Sequence, residues 1–521
     1  MARILARRTL SRIDMDQPET SDQQAVFELL SQPATHGGAA VKRIDTHAAS
    51  VFLTDKRVLK VKRAVRFTFL DYTTLEKRKA ACEAEIEVNR LYAPDIYRGV
   101  VPITRDASGK LAIDGEGEPV EWAVEMARFD ETQGLDHLAD SGHIDLDLAD
   151  ALGRAVAKAH AAVPFVENAD FGYTLAEIIE QNRDELLAAP DVFAVREVRA
   201  LIAASRNAID SVVPLLVKRE GDGYVRRCHG DLHLGNIVLI GKTPVLFDAL
   251  EFSPKLATID VFYDLAFLLM DLIERGLIEA ANVVLNRYLT EAKRDSNLDA
   301  LAMLPLMMSV RAAIRAKVTA ARPKRDVAME KSAQHYFALA QRLLTPAQPT
   351  LVAVGGLSGT GKSVLARALA PGIMPLPGAI HLRSDVMRKT LFGVAETERL
   401  PASAYTPDVT AKVYAALADK ARRALAAGHS AIVDAVFAKR AERDAIAAAV
   451  PGAAFCGLFL TADLAVRVAR VGTRTGDASD ADETIARTQE QYDLGVLDWQ
   501  EVDASGTPEE TLQRSKAALQ R

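Results

Sequence analysis

The sequence predicts two domains: an α+β domain, followed by an α/β domain with a parallel sheet. Residues 40–63 alternate apolar and polar side chains in the manner of a small antiparallel sheet, and helical patterns dominate from about 145 to 218. A proline-rich segment at 344–350 then interrupts the chain, because prolines at this spacing cannot lie inside one helix. Directly beyond it, a buried-strand pattern leads into a glycine-rich loop and a helix, an order typical of α/β domains.

Length and composition agree with this division. The chain has 521 residues, more than one hydrophobic core usually holds, and we expect domains at 1–345 and 346–521. With 49% hydrophobic and 26% charged residues it is an ordinary globular chain, and no apolar run approaches the roughly 20 residues needed to span a bilayer. The net charge of −6 argues against a general nucleic-acid binder, although a local basic groove is compatible with it.

The cysteines and the N-terminus bear on location. Cys82, Cys228 and Cys456 are too few and too scattered for a disulfide framework or a zinc cluster, so we expect core thiols in a cytoplasmic protein. The N-terminus is Arg-rich but lacks a long apolar segment and a small-residue cleavage site. We expect a disordered or loosely docked leader there, with a transit peptide as the alternative.

The stretch 226–252 carries three side chains suited to phosphoryl transfer. Asp231 follows a His-Gly pair, Asn236 comes five residues later, and Asp248 ends an apolar run. Transfer of a γ-phosphoryl group needs a carboxylate to orient the acceptor hydroxyl and oxygen ligands to hold Mg²⁺. We assign the first role to Asp231 and the second to Asn236 and Asp248, whose hard oxygens suit Mg²⁺ better than Zn²⁺. The alternative is a polar loop between two strands.

The residues from His229 to Asn236, which read His-Gly-Asp-Leu-His-Leu-Gly-Asn, resemble the catalytic loop of the aminoglycoside phosphotransferase family. This resemblance implies a fold similar to protein kinases, with an N-lobe at about 20–125 and a C-lobe at about 126–345. It also implies ATP and Mg²⁺ as cofactors.

In such a fold, a lysine on an N-lobe strand binds the α- and β-phosphates, and a helix carboxylate holds that lysine in place. The strand that ends at Lys62 also carries Lys60 on the same face, and we choose Lys60. The helix at about 73–92 offers Glu83 and Glu85, and we choose Glu85. The alternative for each of these charges is a solvated surface position.

Three further features follow along the chain. In kinase-like folds the strand at 121–129 would join the two lobes, and the main chain of Glu125 to Ala127, centred on Met126, is the candidate for contact with the adenine ring. Glu251 stands where protein kinases have a glycine. Its two alternative roles are a second metal ligand and a helix cap. Asp260 and Asp264, on the next amphipathic segment, are expected to hold the catalytic loop in place.

Residues 356–363 read Gly-Leu-Ser-Gly-Thr-Gly-Lys-Ser and match a P-loop, with a predicted strand before it and a predicted helix after it. Small residues let backbone N–H groups converge on a β-phosphate at the helix N-terminus. Lys362 would reach the β- and γ-phosphates and assist transfer, and Ser363 would bind Mg²⁺. The nucleotide-binding residues predicted here are Gly356, Ser358, Gly359, Thr360, Gly361, Lys362 and Ser363. The alternative is a chance match.

Two carboxylates follow later strands of this domain. Asp385 comes after a strand predicted at 379–382, and Asp434 follows one predicted at 430–433. Ligands of open α/β sheets gather at the C-terminal ends of the strands. We therefore assign Asp385 to the acceptor hydroxyl and Asp434 to the metal or its water shell, with helix caps as the alternative.

An arginine-rich helix lies near the end of the domain. It starts near Ala462 and carries Arg467 and Arg470, with Arg474 in the loop beyond. Their spacing places them on one side, where a lid could close over the transferring phosphate, and we expect Arg470 and Arg474 to contact the nucleotide. The order of strand, P-loop, acidic strand end and lid resembles gluconate and adenylylsulfate kinases, and also zeta-toxin-like proteins.

The two modules together resemble a bacterial family described as bifunctional phosphotransferase and ATP-binding proteins. The resemblance implies two ATP- and Mg²⁺-dependent sites, each phosphorylating a hydroxyl of a small molecule. One alternative is that one module only binds nucleotide and regulates the other. A second is that the P-loop module is a zeta-toxin-like or polynucleotide kinase.

The helical segment 310–322 places Arg311, Arg315 and Arg322 within about 40° of one another, on the side that carries the larger apolar residues. Arginines in such a position are partly desolvated and need carboxylate or phosphate partners. The first expectation is structural pairing near the catalytic loop. The carboxylates available for it are Asp260, Asp264 and Glu251. The second is that at least one arginine reaches the acceptor pocket and selects an anionic substrate.

Overall fold

The computed structural model describes residues 21–67, 70–322, 325–473 and 476–519. The predicted N-terminal leader and Arg474 lie outside these ranges. By its internal contacts the chain forms two compact units. The first contains the described residues up to Ala280 together with Leu306–Leu344, and the second contains Ala281–Pro305 together with the residues from Thr345 onward.

The first unit is an α+β domain that begins with a sheet. Its strands are β1 (Lys42–Asp45), β2 (Ala49–Leu53), β3 (Arg57–Lys62), β4 (Arg66–Phe67), β5 (Leu70–Asp71), β6 (Tyr97–Arg105), β7 (Leu111–Ile113), β8 (Glu118–Ala127), β9 (Val225–Arg227), β10 (Ile237–Ile240), β11 (Thr243–Leu246) and β12 (Thr258–Asp260). Six of them form an antiparallel sheet in the order β1-β2-β3-β8-β6-β7, and the others pair as β4-β5, β10-β11 and β12-β9.

Both faces of the six-stranded sheet are buried. Val58 and Leu59 are neighbours on β3, and each is fully buried in a different hydrophobic cluster. Since successive side chains point to opposite faces, Lys60 and Lys62 share the face of Val58. They are only 4% and 2% exposed. The alternating pattern thus identified the strand correctly. Lys60 and Lys62, however, are buried charges and not solvated surface residues.

The helices of the chain up to the proline-rich segment are α1 (Ser21–Ser31), α2 (Leu75–Arg90), α3 (Leu135–Asp140), α4 (Leu146–Ala162), α5 (Phe171–Leu187), α6 (Val195–Gly221), α7 (Pro254–Ala257), α8 (Val261–Glu274), α9 (Ile278–Ala292), α10 (Ser296–Asp299), α11 (Leu304–Ala320) and α12 (Val327–Leu343). Helix α8 is buried on all sides from Val261 to Ile273. A helix buried on all sides belongs in a core, and α8 carries two aspartates, Asp264 and Asp271, into that core.

Helix α6 has the length and the apolar composition of a membrane span. Its buried residues include Val198, Leu201, Ile202, Ser205, Ile209, Val212 and Leu216. Steps of three and four residues along this set are those of an amphipathic helix with one face on a protein core.

The second unit is an α/β domain with a five-stranded sheet. Its strands are β13 (Thr350–Gly356), β14 (Ile380–Arg383), β15 (Ala431–Asp434), β16 (Ala454–Thr461) and β17 (Gln500–Asp503), and its later helices are α13 (Lys362–Leu369), α14 (Ser384–Phe392), α15 (Pro407–Ala426), α16 (Arg440–Ala448), α17 (Leu464–Gly472), α18 (Glu483–Thr488) and α19 (Pro508–Leu519). All strands run parallel, in the order β14-β15-β13-β16-β17. The predicted fold class is therefore confirmed for both halves of the chain.

The segment Ala281–Pro305 joins this second unit through polar contacts, although it precedes the proline-rich segment. Asn282 Nδ2 donates to the carbonyl oxygen of Ala379 at 3.1 Å. The guanidinium of Arg423 lies 2.7 Å from the carboxylate of Asp299. The domain boundary predicted at 345/346 places this segment in the first domain. The sequence of the segment does not indicate these contacts, because their partners lie far along the chain.

Candidate active sites

In the first unit, the loop between β9 and β10 brings Asp231 and Asn236 together. Asn236 Nδ2 donates to the main-chain oxygen of Asp231 at 2.9 Å and to its carboxylate at 3.0 Å. A short 3₁₀ turn at Leu234–Asn236 makes this approach possible. Because the amide nitrogen is used in this way, the amide oxygen of Asn236 is the atom that could bind a cation.

Asp264 on α8 holds this loop in place. Its two carboxylate oxygens accept hydrogen bonds from the backbone N–H groups of His229 and Gly230, each at 3.0 Å. Burial opposes ionisation of Asp264, but the hydrogen bond and charge of His160 outweigh it, so the pKa of the carboxyl is lowered. Asp260 has a different task, because it binds the guanidinium of Arg219 at 2.7 Å.

The histidines of the loop are structural. His229 is fully buried, and its Nε2 lies 2.9 Å from the carbonyl oxygen of Phe247. Burial lowers its pKa, which favours the neutral imidazole. His233 caps the short turn, since its Nδ1 accepts the backbone N–H of Gly235 at 3.1 Å.

Asp248 has a strained backbone, with a φ of +60°. This left-handed conformation is uncommon for a residue with a side chain, and such residues cluster at functional sites. The backbone N–H of Asp248 donates to the Tyr97 hydroxyl oxygen at 3.0 Å, and the next N–H, of Ala249, donates to Asn89 at 2.7 Å. These bonds hold the carboxylate of Asp248 within 3.0 Å of Lys60.

Two lysines and three carboxylates form one buried network. Glu85 binds Lys60 at 2.7 Å and Lys62 at 2.5 Å, and Lys62 also binds Glu251 at 2.6 Å. Burial alone would lower the pKa of Lys62, but Glu251 and Glu85 hold it well above the usual range. Sequence reasoning chose between Lys60 and Lys62, whereas the structure places both against Glu85.

Two further glutamates, Glu83 and Glu251, differ in their surroundings. Glu83 is exposed, and its contact is with Lys79 at 3.7 Å on the same helix. Glu251 is 4% exposed and binds Lys62 at 2.6 Å. The helix that follows is capped by Ser253 instead, and a metal-ligand role for Glu251 stays a prediction.

These residues surround a cavity of about 220 Å³ within the first unit. Lys60, Asp231 and Asp248 lie on its wall, and the loop between β1 and β2 also contributes. Helix α11 contributes Arg311, Arg315 and Lys317. The cavity therefore brings together the predicted phosphate-binding lysine Lys60, the predicted metal ligand Asp248 and the predicted acceptor carboxylate of Asp231.

Met126 lies inside β8, between β3 and β6, where it pairs with Val58 and Tyr97. Its side chain is fully buried. The chain leaves the sheet only at Ala127, the last residue of β8. Strands flank the backbone of Met126 on both sides, and its contact with adenine stays a prediction.

In the second unit, the P-loop connects β13 to α13. Gly356, Gly359 and Gly361 have φ values of +137°, +86° and +91°, which are left-handed conformations that favour glycine. A Cβ atom at Gly359 would also lie 2.5 Å from the carbonyl oxygen of Arg467. Lys362 Nζ donates to the carbonyl oxygen of Leu357 at 3.1 Å, within the loop itself.

The remaining P-loop residues are tied into this loop. Thr360 Oγ1 donates to the carbonyl oxygen of Leu357 at 2.8 Å. The backbone N–H of Ser358 donates to Gln489 Oε1 at 2.6 Å. Gln489 is 6% exposed, and sequence reasoning gave no reason to single it out.

Asp434 and Ser363 meet at the C-terminal edge of the sheet. Burial would raise the pKa of Asp434, but hydrogen bonds from His381 and Ser363 and the charge of Arg383 lower it to about 2. The distance from His381 Nε2 to the Asp434 carboxylate is 2.8 Å. Asp434 is therefore ionised at neutral pH beside the P-loop serine.

Asp385 shows the opposite shift. Burial, and then the negative charge of Asp434, raise its pKa, in spite of the charges of Arg383 and Lys362. A carboxylate with a raised pKa beside a second, ionised carboxylate is typical of an acid–base site. The two predicted carboxylates are thus brought together.

Arg383 was missed by sequence reasoning. It ends β14, where it is the strand partner of Asp434, and it binds Asp477 at 2.7 Å. The sequence pattern could have indicated Arg383, because the parallel strands β14 and β15 end together and so place Arg383 beside Asp434.

The lid arginines are engaged elsewhere. Arg467 is 1% exposed and forms an ion pair with Glu490. Arg470 donates to the carbonyl oxygens of Ala504 and Gly506 at 2.8 and 2.7 Å. In this structure Arg470 thus binds the loop that follows β17, and the predicted contact with a nucleotide would require it to exchange these partners.

Comparison with known proteins identifies the class of protein. A family model described as "Phosphotransferase enzyme family" matches residues 43–304, and one described as "AAA domain" matches residues 351–494. The chain is a kinase-like phosphotransferase domain followed by a P-loop kinase-like domain.

Full-length relatives share this organisation. An uncharacterized protein of Mycobacterium tuberculosis (strain ATCC 25618 / H37Rv) is 30% identical over 488 residues, which cover 90% of this chain and 93% of the relative. A protein of Mycobacterium bovis matches to the same extent. The chain therefore belongs to the phosphotransferase enzyme family.

Solved structures match each half separately. A gluconokinase from Sinorhizobium meliloti 1021 is 24% identical and covers 33% of this chain and 93% of its own, with a TM-score of 0.26. A choline/ethanolamine kinase family protein from Mesorhizobium loti is 16% identical and covers 62% of this chain and 95% of its own, with a TM-score of 0.39.

Proposed function

We propose that the first unit transfers the γ-phosphoryl group of ATP to a hydroxyl group of a small molecule. The observation that carries this proposal is the single cavity on whose wall Lys60, Asp231 and Asp248 meet. Phosphoryl transfer depends on positioning and charge stabilisation, and these three side chains supply a phosphate-binding cation, an acceptor-orienting carboxylate and a metal ligand.

Asp231 orients the acceptor hydroxyl in this proposal. Asn236 holds the carboxylate of Asp231 at 3.0 Å and so fixes the direction in which its oxygens point. Asp248 and the amide oxygen of Asn236 could hold Mg²⁺, and their donor set of hard oxygens fits that ion. Mg²⁺ bound there would neutralise charge on the ATP phosphates. Lys60, braced by Glu85, binds the α- and β-phosphates.

We propose a second transfer site in the P-loop unit. Asp385 accepts the proton of the acceptor hydroxyl, Lys362 binds the nucleotide phosphates, and Ser363 with Asp434 could hold Mg²⁺. Support for catalysis over a purely regulatory module comes from the position of Asp385, whose carboxyl group lies near the charges of Asp434 and Lys362 and so beside the predicted nucleotide phosphates. The free thiols of Cys82, Cys228 and Cys456 fit a cytoplasmic location for both reactions.

Single-site variants of the full chain test this proposal. ATP consumption is measured over a panel of hydroxylated metabolites for wild type, Asp231→Asn and Lys362→Ala. If both units are catalytic, each variant loses a different activity and keeps the other. If both variants lose the same activity, one unit regulates the other. Salt-sensitive binding of oligonucleotides by the P-loop unit would favour a polynucleotide kinase.

A further inference from the structure

Helix α11 brings cationic side chains to the wall of the cavity in the first unit. Arg311, Arg315 and Lys317 all line it, together with Asp231. Lys317 is neutralised, because its Nζ lies 2.9 Å from Glu185. The other two cations of this helix on the cavity wall are Arg311 and Arg315.

Arg311 is held in a fixed orientation with one nitrogen unused. The side chain is 7% exposed, and its Cζ lies 3.9 Å from the centre of the Tyr263 ring and 4.8 Å from that of Phe267. Its Nε donates to the carbonyl oxygen of Tyr263 at 3.4 Å. Its Nη2 is buried and has no hydrogen-bond partner among the described residues. A buried donor without a partner destabilises the free protein, and an anion in the cavity would remove that cost.

The carboxylates expected to pair with the arginines have other partners. Asp260 binds Arg219, and Glu251 binds Lys62. The oxygens of Asp264 accept hydrogen bonds from two backbone N–H groups and from His160. The positive charge of Arg311 acts on Asp264, but structural pairing does not account for its Nη2 atom, which has no hydrogen-bond partner among the described residues. Arg315 hydrogen-bonds to Tyr336, lies near the charge of Asp271 and also lines the cavity.

We propose that Arg311, assisted by Arg315, binds an anionic group of the acceptor. The substrate of the first unit is then a small hydroxylated anion, a carboxylate or a phosphate monoester, and not a polycation. This inference rests on the proposed phosphotransfer at Asp231. Arginine suits the task because its planar guanidinium matches the geometry of carboxylate and phosphate oxygens.

Two sets of related probes, whose members carry negative, zero or positive charge, test the inference. One set is glycerate, glycerol 3-phosphate, glycerol and 3-amino-1,2-propanediol; the other is gluconate, glucose 6-phosphate, glucose and glucosamine. Dissociation constants are measured by calorimetry on the full chain, with AMP-PNP and Mg²⁺ present in excess. We expect an anionic member of at least one set to bind best. Comparing the carboxylate probes with the phosphate probes shows which of the two anionic groups the site binds.

Variants assign the preference to Arg311. Arg311→Gln should weaken binding of the preferred anion about ten- to hundredfold, as expected for the loss of a charge-assisted hydrogen bond. Arg311→Lys keeps the charge and should retain part of the preference. Arg196→Gln is the matched control, since Arg196 is exposed on α6, and it should bind the anion as wild type does.

Several results would overturn the inference. In one, the neutral or cationic members bind as well as the anions in both sets, or no member of either set binds. In another, the anion preference survives both Arg311→Gln and Arg315→Gln. In a third, Arg311→Gln weakens AMP-PNP binding as much as anion binding, which would assign the arginine to the nucleotide. None of these measurements involves turnover, so a failure of phosphotransfer itself appears only in the Asp231 variants.

Discussion

Lys60 and Asp248 are 188 positions apart in the chain, yet Lys60 Nζ lies 3.0 Å from the Asp248 carboxylate. Lys60 belongs to the antiparallel sheet and Asp248 follows β11, so this contact joins two parts of the first unit at one cavity. Glu85 binds the same lysine from the other side at 2.7 Å. Lys60 is therefore held between two buried carboxylates at the wall of the cavity.

The first prediction concerns Glu85, which is fully buried and binds two lysines. Glu85→Ala leaves both cations short of a partner, so we expect a loss of about 3–5 kcal/mol in the free energy of unfolding of the first unit. Urea unfolding measures it. The control is Glu83→Ala, an exposed residue two positions away, which should change stability by less than about 0.5 kcal/mol. Equal effects of the two variants would contradict the buried network.

The second prediction concerns two glycines of the P-loop with similar backbone conformations. Gly359 and Gly361 have φ values of +86° and +91°. A Cβ at Gly359 would meet the carbonyl oxygen of Arg467 at 2.5 Å, whereas a Cβ at Gly361 would meet nothing within 4 Å. Both alanine variants carry backbone strain, but Gly359→Ala must also displace α17, so we expect it to weaken nucleotide binding by the P-loop unit more. Nucleotide titrations compare the two, and a larger effect of Gly361→Ala would contradict the close packing of α17 on the loop.

The third prediction concerns the pH dependence of stability at Asp385. The pKa of Asp385 is raised in the folded protein, so its ionisation costs stability, and that cost is present above the folded pKa and disappears as the pH falls below the unfolded value. Asp385→Asn should therefore be more stable than wild type near pH 7.5, with a smaller difference near pH 4. Its activity should fall about 10²–10⁴-fold. Thermal unfolding at the two pH values measures the first effect, and a variant less stable at both would contradict it.

Asp434 is predicted to have the opposite pH dependence. Its pKa is lowered to about 2, so its ionised form stabilises the second unit above the ordinary pKa of an aspartate, and this contribution is lost as the pH falls through about 2. Asp434→Asn should consequently lower the melting temperature at neutral pH. Asp385→Asn, on the neighbouring strand end, provides the contrast, because the two carboxylates should change stability in opposite directions.

Some of the sites could be predicted because their residues are close together in the sequence. Asp231 and Asn236 share one loop, and Lys362 and Ser363 share one P-loop, so local spacing alone predicts that the members of each pair lie close together. Period-two alternation also placed Lys60 and Lys62 on one face, where both bind Glu85.

Other features depend on partners that lie far away in the chain. The carbonyl oxygens that bind Arg470 belong to Ala504 and Gly506, and the sequence around Arg470 does not indicate these partners. Gln489 likewise reaches Ser358 across 131 positions. The pairing of Asp260 with Arg219 was missed for the same reason, since several arginines were available and only the packed structure selects one.

The most direct test of the account is the effect of Asp231→Asn on turnover and on nucleotide affinity, measured separately. Asp231 is assigned to the acceptor hydroxyl, and Asn236, Asp248 and Lys60 are all kept in this variant. ATP consumption with the acceptor found in the metabolite panel should fall about 10²–10⁴-fold, while the Kd for ATP with Mg²⁺ stays within about threefold of wild type. Turnover within threefold of wild type, or a loss of ATP affinity with turnover kept, would contradict the account.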